Sequence, residues 1–168
     1  MVCPSCVADG CDFAIQEPSN QPQRVRKRFF AKKTGGPSLR YLFVTHVESG
    51  KFLWVSRAFA GGTSEPLILM SALLPRLLPG ERILADRLFR HHDEVFITSS
   101  GYDCERTRRL DSVRSRIERR IGRLATFQIL STTYRSDNYE FHADVVNVLC
   151  RVINCCGPKN PVFPHLSV

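Results

Sequence analysis

The stretch "RSRIERRIGR", Arg114 to Arg123, sets one carboxylate, Glu118, among five arginines. Around it Leu110, Val113, Ile117, Ile121 and Leu124 recur at three- and four-residue steps, which predicts a helix from Thr107 to about Leu124 with one apolar stripe. Each residue of a helix advances by about 100°, so Glu118 falls beside that stripe rather than opposite it. An acid that needed only water would sit on the far face with the arginines. Two readings follow. Glu118 borders the core and reaches across a sheet edge, or it makes an i,i+4 ion pair with Arg114 worth tenths of a kcal/mol.

Strands for such a helix to pack on are present. "CVADGCDFAIQEP" reads as a strand that ends at Pro18, with Asp9 closing its apolar opening "CVAD". "LRYLFVTHV" and "KFLWVSRAF", rich in Val, Phe, Tyr and Trp, flank "ESG" and predict a hairpin with its tip near Ser49-Gly50. "RILAD" is a short buried strand closed by Asp86, and "EVFITS" is another. Between them "GGTSEPLILMSALLPRLLPGE" predicts a helix capped by Ser64, with Glu65 and Pro66 in its first turn. Its Leu67, Met70, Leu74 and Leu77 recur at helical spacing, and Pro75 must end or kink it. The last helix, "YEFHADVVNVLCRVINCC", is expected to bury Phe141, Val145, Val148, Leu149 and Val152 and to stop at Gly157-Pro158. The fold class is therefore α/β.

With 168 residues and 43% hydrophobic content the chain can bury one sizeable core, which predicts a single domain over 1–157 and a loose tail over 158–168. A formal net charge of +8 favours an acidic partner, nucleic acid above all, although it also serves solubility. Seven cysteines, an odd number unevenly spread and with no signal peptide ahead of them, argue against a disulfide framework and for a reducing, intracellular compartment. The longest apolar runs fall well short of the ~20 residues a membrane helix needs, so no membrane partner is expected.

An ionised carboxylate directly after apolar strand residues is costly unless it is paired, hydrogen-bonded or bound to a cation. Asp9 and Asp86 both stand in that position, and Glu118 borders the core. A divalent metal explains all three. Hard carboxylate oxygens suit Mg²⁺ or Mn²⁺, and two such ions ~3.5–4 Å apart support in-line displacement at a phosphodiester.

Four segments, "VADGCDFAIQEP", "GGTSEPLILMSALLPRLLPGERILADRLF", "SVRSRIERRIGRLATFQIL" and "VVNVLCRVIN", resemble the catalytic domain of DDE-type transposases, the superfamily endonucleases of the PIF/Harbinger type. That family carries its first Asp in Asp-Gly-Thr, its second in Leu-(Leu/Ala)-Asp-x-Gly-Tyr, and its Glu in Arg-x-x-(Ile/Val)-Glu-Arg. By that pattern Asp9, Asp86 and Glu118 match the triad, and Asn154 matches a late Asn. The resemblance implies an RNase H-like mixed sheet with flanking helices, a metal-dependent DNA endonuclease, and a nuclear location. Three departures stand out: Asp9-Gly10-Cys11 for Asp-Gly-Thr, Leu88-Phe89 for Gly-Tyr, and Gly62-Thr63-Ser64-Glu65 for Gly-Ser-x-x-Asp. The chain starts eight residues before Asp9, without the helical DNA-binding region the family usually carries upstream. That implies recognition supplied by a separate DNA-binding partner protein, or a catalytically silent remnant that serves as a DNA- or protein-binding module.

The basic loop at 19–38 contains "RVRKRFFAKK", which places Arg24, Arg26, Lys27, Arg28, Lys32 and Lys33 around Phe29 and Phe30. That mix suits phosphate neutralisation with an aromatic stacked on a base, and equally a nuclear localisation signal or a solvated loop. Arg26, Lys27, Arg28, Lys32, Lys33, Arg114, Arg119 and Arg120 are the candidate DNA contacts. Cys3-x-x-Cys6 has metal-ligand spacing but lacks the second pair that a zinc ribbon needs. His91-His92 read as surface residues, and Gly35-Gly36 and Gly61-Gly62 as turns.

Overall fold

The first strand, β1 (Cys6–Ala14), decides the architecture because both of its faces are covered. Val7 and Phe13 point to one side with Leu39, Tyr41 and Phe43, while Cys6 and Ala8 point to the other with Leu42 and Val44. Side chains alternate along a strand, so one extended segment feeds two apolar layers. The computed structural model describes residues 4–85, 108 and 110–156 in full, and the backbone alone of 96–97, 104–107 and 109. Asp86, Leu88-Phe89, His91-His92, Cys3 and the tail after 156 lie outside the described residues.

After β1 come a helical turn α1 (Gln23–Arg26), a 3-10 turn (Lys27–Phe29) and β2 (Phe30–Ala31). The long strand β3 (Gly36–His46) follows, then β4 (Phe52–Val55) and β5 (Phe59–Ala60). β1 and β3 are antiparallel over all nine residues of β1, from Cys6↔His46 to Ala14↔Ser38. The other pairings of β3 go to three short strands, β2, β5 and β4. The hairpin tip forms where expected: Gly50 takes a φ of 63°, a left-handed value that suits glycine, and donates to the His46 carbonyl at 2.9 Å.

β6 (Ile83–Leu84) lies parallel to β1, and β7 (Phe96–Ile97) lies parallel to β6. The result is a mixed sheet of order β2-β3-β1-β6-β7, with β4 and β5 also on β3. On the Phe13 side lie α3 (Cys104–Leu124) and α5 (Tyr139–Cys156), joined through a short α4 (Gln128–Ser131). On the Ala8 side lies α2 (Glu65–Ile68) with the turns that continue it. No helix among the described residues is long and apolar enough to cross a membrane.

Four sequence expectations change. Asp9 does not close the apolar part of the first strand: β1 runs on through Ala14, and Phe13 and Ile15 supply further core contacts beyond the polar residues. The basic loop at 19–38 is partly ordered, with α1, the 3-10 turn and β2 inside it. The helix after Ser64 is one α-turn, a π-turn (Leu69–Leu73) and a 3-10 turn (Leu74–Arg76), since Pro75 has no N–H to continue the ladder. Its buried residues are Ile68, Leu69 and Leu73, while Leu67 and Met70 face outward.

The fourth change concerns α5. It buries His142, Val146, Cys150 and Ile153, one residue round from the expected face, and leaves Phe141, Val148 and Val152 exposed. Two polar anchors hold that rotation. The Tyr41 hydroxyl shares a hydrogen bond of 2.7 Å with His142 Nδ1 in the core, where burial pushes the imidazole down to about 4 and keeps it neutral. At the other end Asn154 accepts from the Phe52 N–H at 2.9 Å and donates to the Phe52 carbonyl at 2.8 Å. The late asparagine thus ties α5 to strand β4.

Candidate active site

Asp9 has odd parity on β1, so it shares a face with Val7 and Phe13 and looks toward α3. α3 presses Val113, Ile117, Ile121 and Leu124 into that layer, the stripe expected from its sequence. Anchoring Ile117 leaves Glu118 at the edge of the packed face, exposed, and close enough for its charge to act on Asp9. Burial raises the Asp9 carboxyl above its usual range, and Glu118 adds to that rise. The Gly10 N–H, donating to Asp9 Oδ1 at 2.9 Å, and the charges of Lys33 and Arg114 oppose it. The charges of one helix acid and two cations therefore act on one strand acid.

A further carboxylate approaches from the opposite face of β1, and sequence reasoning gave it only a place in a helix turn. Glu65 lies over Gly10 so closely that a Cβ on Gly10 would stand 2.5 Å from Glu65 Cδ and Oε1. Burial raises the Glu65 carboxyl, Asp9 raises it further, and Arg40 and Lys33 pull it back. Beside it Arg40 grips Asp12 with two parallel bonds, Nε to Oδ1 and Nη2 to Oδ2, both 2.7 Å, and its Nη1 donates to the Thr63 carbonyl at 2.8 Å. The Asp12 side chain is only 2% exposed, so this fork neutralises a buried acid and fixes the loop that starts α2. The sequence signal was Gly10 itself, a strand residue with no side chain where another group approaches.

Cys11 stands where the resemblance would place a threonine. Burial pushes its thiol up to about 11, so it stays protonated and is no nucleophile at neutral pH.

The cations divide. Lys33 and Arg114 belong to the carboxylate cluster. Lys27, Arg28 and Lys32 are exposed, and Arg26 pairs with Glu17 at 3.4 Å. Arg119 folds back on its own helix, donating from Nε to the Ser115 carbonyl at 3.1 Å, and Arg120 is half-buried. Phe29 turns inward against Tyr139, ring centroids 5.4 Å apart, whereas Phe30 stays outside. Of that pair, Phe30 is the one left accessible to a base.

Among the described residues no group of three His, Cys, Asp or Glu side chains already forms a metal cage. The charge of Glu118 reaches Asp9, and Asp86 lies outside the described residues.

A family model described as DDE superfamily endonuclease matches residues 8–154. The chain belongs to that family. The match begins one residue before Asp9, ends on Asn154, and spans Asp86 and Glu118. No curated protein and no solved structure matches the chain. A DDE superfamily endonuclease domain belongs to the nuclease class and acts on DNA.

Proposed function

We propose that this domain is a transposase-derived, metal-dependent DNA endonuclease of the PIF/Harbinger type, with Asp9, Asp86 and Glu118 as ligands for Mg²⁺ or Mn²⁺. The observation that carries the reading is the approach of a strand acid and a helix acid, Asp9 and Glu118, on one sheet face inside the family match. The strand order, with β6 parallel to β1 and antiparallel β3 on the other side, agrees with an RNase H-like sheet. The parallel pairing pairs Val7 with Leu84; Asp9 is two residues beyond the first and Asp86 two residues beyond the second.

The residues present fit a hard divalent ion. Their donors are carboxylate oxygens, and Asp9 is an acid whose charged form burial disfavours, a cost that a bound cation offsets. When bound, the metal would polarise the scissile phosphate and activate a water or 3′-hydroxyl. The chain's own contributions are positional. The Gly10 N–H fixes one Asp9 oxygen, the Arg40–Asp12 fork holds the Thr63 backbone at the rim, and Lys33 and Arg114 offset the repulsion between clustered acids and a phosphate backbone. Lys27, Arg28, Lys32 and Arg119 are exposed and Arg120 is half-buried, and we assign these residues, with Arg114, to the DNA backbone. The free thiols of Cys6, Cys11, Cys150, Cys155 and Cys156 accord with a reducing compartment, and we assign the nucleus.

Nicking of supercoiled plasmid tests the reading. Activity is expected with Mg²⁺ or Mn²⁺, lost with chelator and lost in Asp86→Asn. Equal nicking by Asp86→Asn would overturn the residue assignment, and salt-dependent DNA binding with no metal binding would select the silent binding module instead.

A further inference from the structure

Helix α5 is apolar on two faces, and the sheet uses only one. The outer face carries Phe141, Val145, Val148 and Val152, at successive steps of four, three and four residues. Phe141, Val148 and Val152 are 52%, 57% and 40% exposed. That spacing is the seam of a paired helix, and an uncovered seam costs solubility unless another surface meets it. On its solvent side the seam is bordered by Asp144 toward the N-terminus and Arg151 toward the C-terminus, both exposed and seven residues apart.

We infer that this face pairs with the α5 of a second copy of the chain, antiparallel about a two-fold axis midway along the seam, between Val146 and Asn147. An isologous contact must be self-complementary. Here it is: antiparallel pairing sets Phe141 against Val152 and Val145 against Val148, and brings each Asp144 to the other copy's Arg151. Parallel pairing would instead put Asp144 and the other copy's Arg151 on opposite sides of the seam, where they could not meet. The helix is about 27 Å long, at ~1.5 Å per residue, and offers four apolar side chains per copy. Such a contact is smaller than the ~1,200 Å² of a standard interface, so the dimer is weak and concentration-dependent.

Sedimentation equilibrium of the full chain over about 1–300 µM tests this. Asp144→Arg and Arg151→Asp should each weaken association at least ~10-fold at low salt, and the double exchange should restore it to within ~3-fold. Both substitutions are on the surface, so circular dichroism should be unchanged in all three variants. A monomer throughout that range, or a dimer indifferent to both single exchanges, overturns the proposal. So does a Cys155–Cys155 disulfide across the native dimer, because the antiparallel axis holds those residues about 25 Å apart.

Discussion

Helices α3 and α5 lie on the same face of the sheet and contribute to one core, yet they are built differently. α3 is charged or polar nearly everywhere except along Leu110, Val113, Ile117, Ile121 and Leu124, so it can meet the sheet in one rotation only. α5 carries apolar residues around more than half of its circumference, and hydrophobicity alone leaves two rotations open. Polar chemistry settles the choice. His142 finds the Tyr41 hydroxyl, Asn154 finds the edge of β4, and the alternative apolar stripe is left facing outward.

That contrast is open to attack by mutation, with the largest effect expected on α3. Leu124→Ala, at a fully buried position, should cost about 2–5 kcal/mol in urea unfolding. A small cost would mean that α3 is not anchored by its stripe.

The next effect is a pH dependence from α5. His142 is neutral in the fold, with its folded value near 4 against an ordinary value near 6.5, so the unfolded chain binds the extra proton. Its contribution is present above about pH 6.5 and is lost as pH falls toward 4, by up to ~3 kcal/mol. Tyr41, Tyr134 and Phe13 face the ring and supply no compensating charge. His142→Gln should flatten the unfolding midpoint between pH 6.5 and 4 relative to the parent, and an unchanged slope would contradict the buried, neutral imidazole.

Asn154→Ala should cost about 1–3 kcal/mol, because both Phe52 backbone groups lose their partner at the edge of β4. The smallest effect belongs to the outer stripe. Val148→Ser should change monomer stability by less than ~0.5 kcal/mol, and a loss like that of Leu124→Ala would put Val148 back in the core.

The same difference explains what could be read from the sequence. The β3–β4 hairpin, the strand nature of β1 and the burial of α3 follow from periodicity, because each has one apolar pattern and turn residues that agree with it. The rotation of α5 does not, since it depends on Tyr41 and Phe52, which come from strands far away in the chain. The start of α2 follows the same rule: its buried set is fixed by Glu65 over Gly10 and by Arg40 holding Thr63, contacts that exist only after the strands have paired. In the site, Asp9 and Glu118 were legible as acids next to apolar residues. Glu65 was not, because its signal is the absence of a side chain at position 10 on another element.

The comparison between the two helices also isolates the central claim, that an acid carried by α3 serves the site and an acid carried by α5 does not. Glu118 and Glu140 are both exposed helix glutamates, but only Glu118 acts on Asp9. Rates of plasmid nicking in Mn²⁺ should fall at least ~100-fold in Glu118→Gln and stay at the parent rate in Glu140→Gln. Equal rates for the two variants would contradict the account.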